Sequence, residues 1–305
     1  MDERRLLICH LRPARRRARQ VALVELLCLL EDLGAEALPG GPFAERGGVC
    51  WIALPAGALD AAAARCPRLG YTVAVDVLEP TTPASRSPPV RVRWRGTDYA
   101  VVRLYEEDAA ATREHAVDRR SFVLAGPGGV RTVRGYRGSS APLSRRGLPV
   151  ADARLLVNLH GPPHGGSLLD PFAGAGGIVV QAREAGWRVL SVDRDAVLRF
   201  GLARFADAHI LSDVRALPLA SGSVQAIATE PPYEPEADDA LLRGLHELVR
   251  VLRPGGRLAL LCAERQALSL RNLSKAIGLQ SLLDAPIDRK GVPVHVLAWL
   301  VPSVG

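Results

Sequence analysis

The chain has 305 residues, 48% of them hydrophobic and 23% charged, with a formal net charge of +7. A chain this long suggests about two domains, and the composition excludes wholesale disorder, a collagen-like repeat and a disulfide-stapled miniprotein. No run of about 18 uncharged apolar residues occurs, so a membrane span is not expected. The opening Met1-Asp2-Glu3-Arg4-Arg5 carries acids, and the apolar run behind it breaks at Arg12, unlike a secretory signal. Five widely spaced cysteines (Cys9, Cys28, Cys50, Cys66, Cys262) with no C-x-x-C pair read as reduced thiols in a cytoplasmic protein, and no metal site is expected. The charge is lopsided: residues 1–150 hold 23 arginines against 16 acids, whereas residues 151–305 hold 16 basic and 16 acidic residues. An excess confined to one half points to a polyanionic partner.

In chain order, residues 1–79 read as a small α/β unit. Strands are expected at Arg5–Leu11, Val49–Leu54 and Tyr71–Val77, with helices at Ala18–Leu33 and Ala56–Arg65. That strand–helix–strand–helix–strand order fits a ferredoxin-like arrangement. Residues 80–89 hold four prolines and read as a linker. Residues 90–146 read as a basic, β-containing region: a hairpin of Val90–Trp94 and Tyr99–Tyr105 around Gly96-Thr97-Asp98, then a helix over Glu106–Val117. Residues 119–149 follow, with seven arginines and no acid. They are either a solvated loop or a surface that tracks phosphates, with Tyr136 placed to stack on a base.

From residue 147 to 305 the pattern alternates regularly. Helices are expected at Ala151–Leu159, Gly177–Ala185, Ala196–Ala206, Asp239–Leu252 and Arg265–Ala276. Strands are expected at Ser167–Leu169, Arg188–Val192, His209–Leu211, Val224–Thr229, Leu258–Cys262 and Val294–Val301. Such alternation argues for a doubly wound, Rossmann-like, mostly parallel sheet.

Four segments carry chemistry. Leu168-Leu-Asp170-Pro-Phe172-Ala173-Gly174-Ala-Gly176-Gly177 leaves a strand and opens a helix, where glycines let the backbone approach a ligand. About 20 residues on, Asp193-Arg194-Asp195 ends the next strand, where a carboxylate can grip ribose hydroxyls; Asp195 reads better as a helix cap. Ser212-Asp213-Val214 follows the third strand, where an acid can accept from an adenine amine. Thr229-Glu230-Pro231-Pro232-Tyr233 ends the fourth, where open α/β sheets place their chemistry. Prolines stiffen this loop and cannot donate a backbone N–H, which favours a free carbonyl at Pro231. A carboxylate, a carbonyl and an aromatic together suit a planar amine.

These segments resemble the amino-directed, S-adenosylmethionine-dependent methyltransferases, and among them the tRNA guanosine-N2 methyltransferases that carry a THUMP domain. The match rests on Asp170–Gly177 and Thr229–Tyr233, with support from the Leu148–Leu159 lead-in and Arg253-Pro-Gly-Gly-Arg257, and covers residues 147–301. The resemblance implies a class I methyltransferase domain at 147–305. It further implies that Asp170, Phe172, Ala173, Gly174, Gly176, Gly177, Asp193, Arg194, Asp213 and Val214 bind S-adenosylmethionine. Glu230, Pro231, Pro232 and Tyr233 would hold the target base, and the Arg-rich first half would bind RNA, as tRNA. Two features depart from the family: Glu230 stands where it has Asp or Asn, and residues 1–145 show no full THUMP domain. A DNA adenine-N6 or cytosine-N4 methyltransferase, or an inactive RNA-binding protein on this fold, are the alternatives. Oligomeric state stays open.

Overall fold

The computed structural model of the chain describes residues 3–81, 90–108, 121–126, 129–134, 148–198, 202–203, 205–289 and 292–303. They fall into two compact units, Met1–Ala109 and Ala110–Gly305.

The first unit is built on strands β1 (Arg4–Leu11), β2 (Glu36–Ala37), β3 (Val49–Pro55), β4 (Thr72–Pro80), β5 (Arg91–Trp94) and β6 (Thr97–Glu106). Helix α1 (Arg19–Leu29) follows β1, and α2 (Leu59–Arg65) follows β3. All strands pair antiparallel, in the order β2-β3-β1-β4-β6-β5. The central β1 is apolar from Leu6 to Cys9 because both its faces are buried. Its neighbours in register include Cys9↔Cys50 and Ile8↔Trp51. Trp51 is buried and donates its indole N–H to the Pro42 carbonyl, 3.0 Å away, and Arg19 stacks over its ring. Glu25 of α1 is fully buried, and its carboxylate accepts the backbone N–H groups of Gly70 (2.6 Å) and Tyr71 (3.0 Å), fixing the entry to β4.

Three sequence expectations change here. The short β2 is an added strand, two residues long and paired only through Ala53 and Ile52 of β3. The hairpin turn is Arg95-Gly96, not Gly96–Asp98: both have positive φ (48° and 84°), the twist that suits a two-residue hairpin loop, and Trp94 pairs with Thr97. Residues 90–106, grouped by sequence with the basic region behind the linker, instead extend the first sheet. There, β6 pairs with β4 from Pro80↔Tyr99 to Ala74↔Glu106, covering an edge that β4 would otherwise leave open. The expected helix Glu106–Val117 does not start at Glu106, which ends β6 in the sheet, and its residues 109–117, like residues 82–89 of the proline-rich linker, lie outside the described residues.

The second unit begins with a hairpin of β7 (Ser121–Gly126) and β8 (Gly129–Arg134). Most of the Arg-rich 119–149 segment, including Tyr136, lies outside the described residues. Helices α3 (Val150–Asn158), α4 (Gly177–Glu184), α5 (Asp238–Val251) and α6 (Glu264–Ala276) then alternate with β9 (Ser167–Asp170), β10 (Arg188–Asp193), β11 (Ala208–Leu211), β12 (Val224–Thr229), β13 (Leu252–Ala263), β14 (Gln280–Arg289) and β15 (Val292–Leu300). The sheet order is β11-β10-β9-β12-β13-β15-β14. The first five run parallel; β15 is antiparallel to β13, and β14 to β15. This is a doubly wound, Rossmann-like sheet. Its strand order reverses between β9 and β12, the switch point at which such sheets open a crevice. Helix α5 buries Leu241, Leu245, Leu248 and Val251, spaced at three and four residues, against this sheet.

The sequence reading has no strand at 280–289. Its signal is the alternation of buried Leu283, Ala285 and Ile287 with exposed neighbours, and Pro286 is tolerated because β14 is an edge strand. Strand β13 is longer than expected, since Arg253–Gly256 form an irregularity between Val224↔Leu252 and Ala226↔Arg257. Of the expected helix Ala196–Ala206, the described residues show a 3-10 turn at Ala196–Leu198 and helical residues at 202–203 and 205. The cysteines are free, and all but Cys28 are buried. Trp187 and Trp299 are buried, and His160 packs edge-on against Trp187. Among the described residues no helix is long and apolar enough to cross a membrane.

A methyl group at Gly256 would stand 2.8 Å from the Arg253 carbonyl oxygen and 2.9 Å from that of Gln225, both backbone atoms. Gly256→Ala is therefore expected to destabilise the second unit by about 2 kcal/mol, read as a lower denaturant midpoint by tryptophan fluorescence.

Candidate active site

Parallel strands deliver their C-terminal ends to one edge of the sheet, and a cleft of about 1050 Å³ opens there. The four segments selected by sequence all reach it. Phe172 and Gly174 border it from the loop after β9, Asp193 and Arg194 from β10, Asp213 and Val214 from the loop after β11, and Glu230 through Tyr233 from the loop after β12. Asp170, Ala173, Gly176 and Gly177 do not line it. Asp170 and Ala173 are buried beneath the loop, Gly176 caps α4 in a left-handed conformation (φ 77°), and Gly177 packs against Leu148. These four shape the loop from below.

The loop after β9 is tied on both sides. Gly174 donates its backbone N–H to Asp193 Oδ2 (2.8 Å), and Asp193 Oδ1 accepts the Asp195 N–H (2.9 Å). The Asp193 carboxylate is thereby oriented before any ligand arrives. Asp195 borders the cleft as well, and its carbonyl accepts the Leu198 N–H. Asp213 is gripped by Arg215: Nε and Nη2 reach its two oxygens at 2.9 Å each, and the Arg215 N–H adds a third bond. These contacts hold its carboxyl below the usual range. An amine at Asp213 would thus share the carboxylate with a guanidinium.

Beneath the cleft, the Thr229 hydroxyl donates to Asp170 Oδ1 at 2.8 Å, and the Phe172 N–H points to the same oxygen at 3.3 Å. Burial pushes the Asp170 carboxyl up to about 7; those hydrogen bonds pull it down, while the charges of Asp193 and Glu230 push it further up.

The loop after β12 forms the most polar wall. The Tyr233 hydroxyl donates to Glu230 Oε1 at 2.5 Å. Arg289, at the end of β14, donates from Nη1 to the same Oε1 and, at 3.0 Å, to the Tyr233 oxygen. Its Nε stands 3.7 Å from Oδ2 of Asp152, a buried residue of α3. Gln266 donates to the Pro232 carbonyl (2.8 Å) and Arg265 to that of Tyr233 (3.2 Å). Among the described residues nothing donates to the Pro231 carbonyl or to Glu230 Oε2. Burial raises the Glu230 carboxyl, and Arg289 and Tyr233 pull it back. Burial and the Glu230 charge raise the Tyr233 hydroxyl. The loop thus presents two acceptors beside an aromatic ring whose hydroxyl is fixed, an arrangement that can receive the two N–H groups of a planar amine.

Sequence reasoning passed over Arg289, Asp152 and the hydroxyl of Thr229. Thr229 lay inside the motif without a role. Arg289 is 59 residues from Glu230 on a strand the sequence reading lacks. Because β14 runs in the same direction as β13, its C-terminal end returns to the cleft edge of the sheet.

No family model matches the chain. Over 97 residues it is 38% identical to the tRNA (guanine(10)-N2)-dimethyltransferase of Methanothermobacter thermautotrophicus. The aligned stretch is 29% of this chain, and the chain spans only 28% of that relative's length. Among solved structures, a SAM-dependent methyltransferase from Aquifex aeolicus aligns with a TM-score of 0.43 at 14% identity, covering 54% of this chain and all of that one. The T. thermophilus 16S rRNA N2 G1207 methyltransferase, solved with AdoMet and guanosine, aligns with a TM-score of 0.38 at 19% identity, covering 61% of this chain and 46% of that one.

The raised Asp170 carboxyl has a thermodynamic consequence. Well below pH 4, both folded and unfolded chains keep it protonated. Between there and pH 7 the unfolded chain releases the proton while the folded chain retains it, so stability falls as pH rises, and the full loss is reached above about 7. Asp170→Asn, which keeps the acceptor for Thr229, is expected to melt higher than the parent at pH 8. The difference should shrink as pH falls through this window and vanish well below pH 4, as measured by calorimetry on cofactor-free protein.

Proposed function

We propose that the protein is an S-adenosylmethionine-dependent methyltransferase acting on an exocyclic amine, guanosine N2 in tRNA. The observation that carries the reading is the pair of acceptors left open among the described residues, Pro231 carbonyl and Glu230 Oε2, beside Tyr233 in a cleft at the switch point of the sheet. The alignment with the tRNA (guanine(10)-N2)-dimethyltransferase supports the choice of amine and of RNA.

The residues present suit the cofactor. The donor set is an acid at the end of β10, an acid after β11 and a glycine with φ 48° between them and β9, where a Cβ would be strained. Asp193 would hold the ribose hydroxyls, with Arg194 beside it, and Asp213 with Val214 the adenine. Phe172 and Gly174 would border the methionine end, with Asp170 bracing their loop from beneath. S-adenosylmethionine supplies an electrophilic methyl group there.

The chain's own residues then act by positioning. The Pro231 carbonyl and Glu230 Oε2 each accept one N–H of the target amine, turning its lone pair away from both. The Tyr233 ring stacks on the base, its hydroxyl bond to Glu230 setting the ring's place. Glu230 takes the proton that the amine loses on methylation, which it can do only when ionised. The target base enters turned out of its stack. The first unit, read as ferredoxin-like on its β1-α1-β2-β3-α2-β4 order, and the Arg-rich segment after it bind tRNA phosphates in a cytoplasmic protein.

Purified protein mixed with methyl-labelled S-adenosylmethionine and, separately, unmodified tRNA or duplex DNA tests this reading. Label in N2-methylguanosine after digestion is the expected result. Label in DNA N6-methyladenine or N4-methylcytosine would overturn the RNA assignment, and a chain that binds cofactor but labels nothing would overturn the enzyme. Glu230→Ala is expected to lower turnover about a hundredfold or more while cofactor binding, followed by equilibrium dialysis, stays intact.

A further inference from the structure

The charged side chain nearest Glu230 that the mechanism above leaves without a task is Arg289. Two long side chains meet here with little solvent, 20% of Arg289 and 18% of Glu230 remaining exposed. Both donors to Glu230, Arg289 Nη1 and the Tyr233 hydroxyl, converge on a single oxygen, Oε1. A guanidinium is a planar, permanently charged fork, and it fixes a carboxylate's direction as well as its charge. A glutamate carries one more rotatable bond than an aspartate and so has more conformations to lose when it is held.

We infer that Arg289 is the positioning residue of the site: by pinning Glu230 Oε1 it turns Oε2, the other oxygen, toward the cleft and the incoming amine. The inference rests on the proposed function, since an oriented acceptor has a purpose only if an amine is bound. Arg289 does not touch the substrate; it acts through Glu230 and Tyr233. It also answers the length of Glu230. A shorter aspartate at that position would leave its carboxylate away from Arg289, so the glutamate and the arginine form a matched pair.

Among the described residues the groups that face Glu230 are Tyr233 on its own loop, Arg289 from β14, Asp152 from α3 and Asp170 from β9. Arg289 is the cation among these four. Without it, only the Tyr233 hydroxyl still favours the ionised form, against burial and the neighbouring carboxyls, which favour the protonated one. Turnover needs the ionised form, so the acid limb of the pH–rate profile must move to higher pH.

The test uses the full chain with Arg289→Met, Arg289→Lys, and each combined with Glu230→Asp. In the cofactor-free protein the Glu230 carboxyl is followed by carbon-13 NMR, its signal identified by its absence in Glu230→Gln. Arg289→Met is expected to move the Glu230 midpoint up by about one unit or more, and Arg289→Lys by less. In methyl transfer, Arg289→Met is expected to lower kcat about a hundredfold near neutral pH, with the acid limb displaced as far as the NMR midpoint and KM for RNA little changed. With Glu230→Asp already present, the further fall should be much smaller, because the pair is already broken.

An unmoved Glu230 midpoint in folded Arg289→Met would overturn the inference. So would a defect confined to KM for RNA, or a loss of the same size with and without Glu230→Asp. Should Arg289→Met fail to fold, Arg289→Lys carries the same test with the same overturning results. A parent chain that methylates no nucleic acid fails the proposed function and the amine-orienting role with it. An active parent whose Glu230 ignores Arg289 fails this inference alone.

Discussion

Beyond their backbone ladder, the two strands between which the sheet reverses its order are tied at their C-terminal ends by a buried side-chain hydrogen bond: the hydroxyl of Thr229, at the end of β12, to the carboxyl of Asp170, at the end of β9. Both loops that face each other across the cleft start from these two ends. Pro171, Phe172 and Gly174 continue from Asp170, and Glu230 through Tyr233 continue from Thr229. The bond is buried, so neither partner can exchange it for water, and leaving either group unmatched there is costly. With the backbone ladder it holds the loop after β9 and the loop after β12 in fixed relation to each other.

That edge of the sheet gathers carboxyl groups, and their management is the second constraint. Asp170, Asp193, Asp213 and Glu230 all lie at or beneath one cleft, and each is handled differently. Asp170 is buried and held near the neutral form. Asp193 is met by two backbone N–H groups, and Asp213 by the Arg215 fork. Glu230 is shared by Arg289 and Tyr233. Like charges this close cannot all ionise freely in a partly desolvated space, so each needs its own compensating dipole or cation. The environments differ accordingly: one acid braces a loop, one is held by backbone N–H groups, one by a guanidinium, and one keeps an oxygen without a donor among the described residues.

The first unit solves a comparable problem for two acids of its own. Buried Glu25 is satisfied by two backbone N–H groups, and buried Asp76 by His10 (2.7 Å) and Arg103 (2.5 Å). Its sheet is antiparallel throughout, so strand ends alternate between its two edges, and no row of C-terminal loops gathers at one side. Its hairpin tip instead exposes Arg91, Arg93 and Arg95, with Arg95 lying over the Trp94 ring.

The sequence by itself determined those parts of the protein that are local. An apolar strand followed by glycines, an acid ending the next strand, and a proline-stiffened loop after the fourth are each legible within about ten residues. Alternation of strand and helix then puts their ends on one edge, because right-handed parallel crossovers leave little choice. Thus Phe172, Gly174, Asp193, Arg194, Asp213, Val214 and Glu230–Tyr233 were readable as neighbours along one cleft, although not that Asp170, Ala173, Gly176 and Gly177 would sit under it. Only the tertiary structure decided the pairings between distant segments. Strand β14 hides in the sequence because the exposed Leu282 and Pro286, which an edge strand tolerates, interrupt its apolar–polar alternation. Arg289 reaches Glu230 because two successive antiparallel pairings carry the end of β14 back to the cleft edge, and Asp152 joins them from α3. No spacing along the chain encodes a contact of that kind; it exists only once the sheet has closed its order.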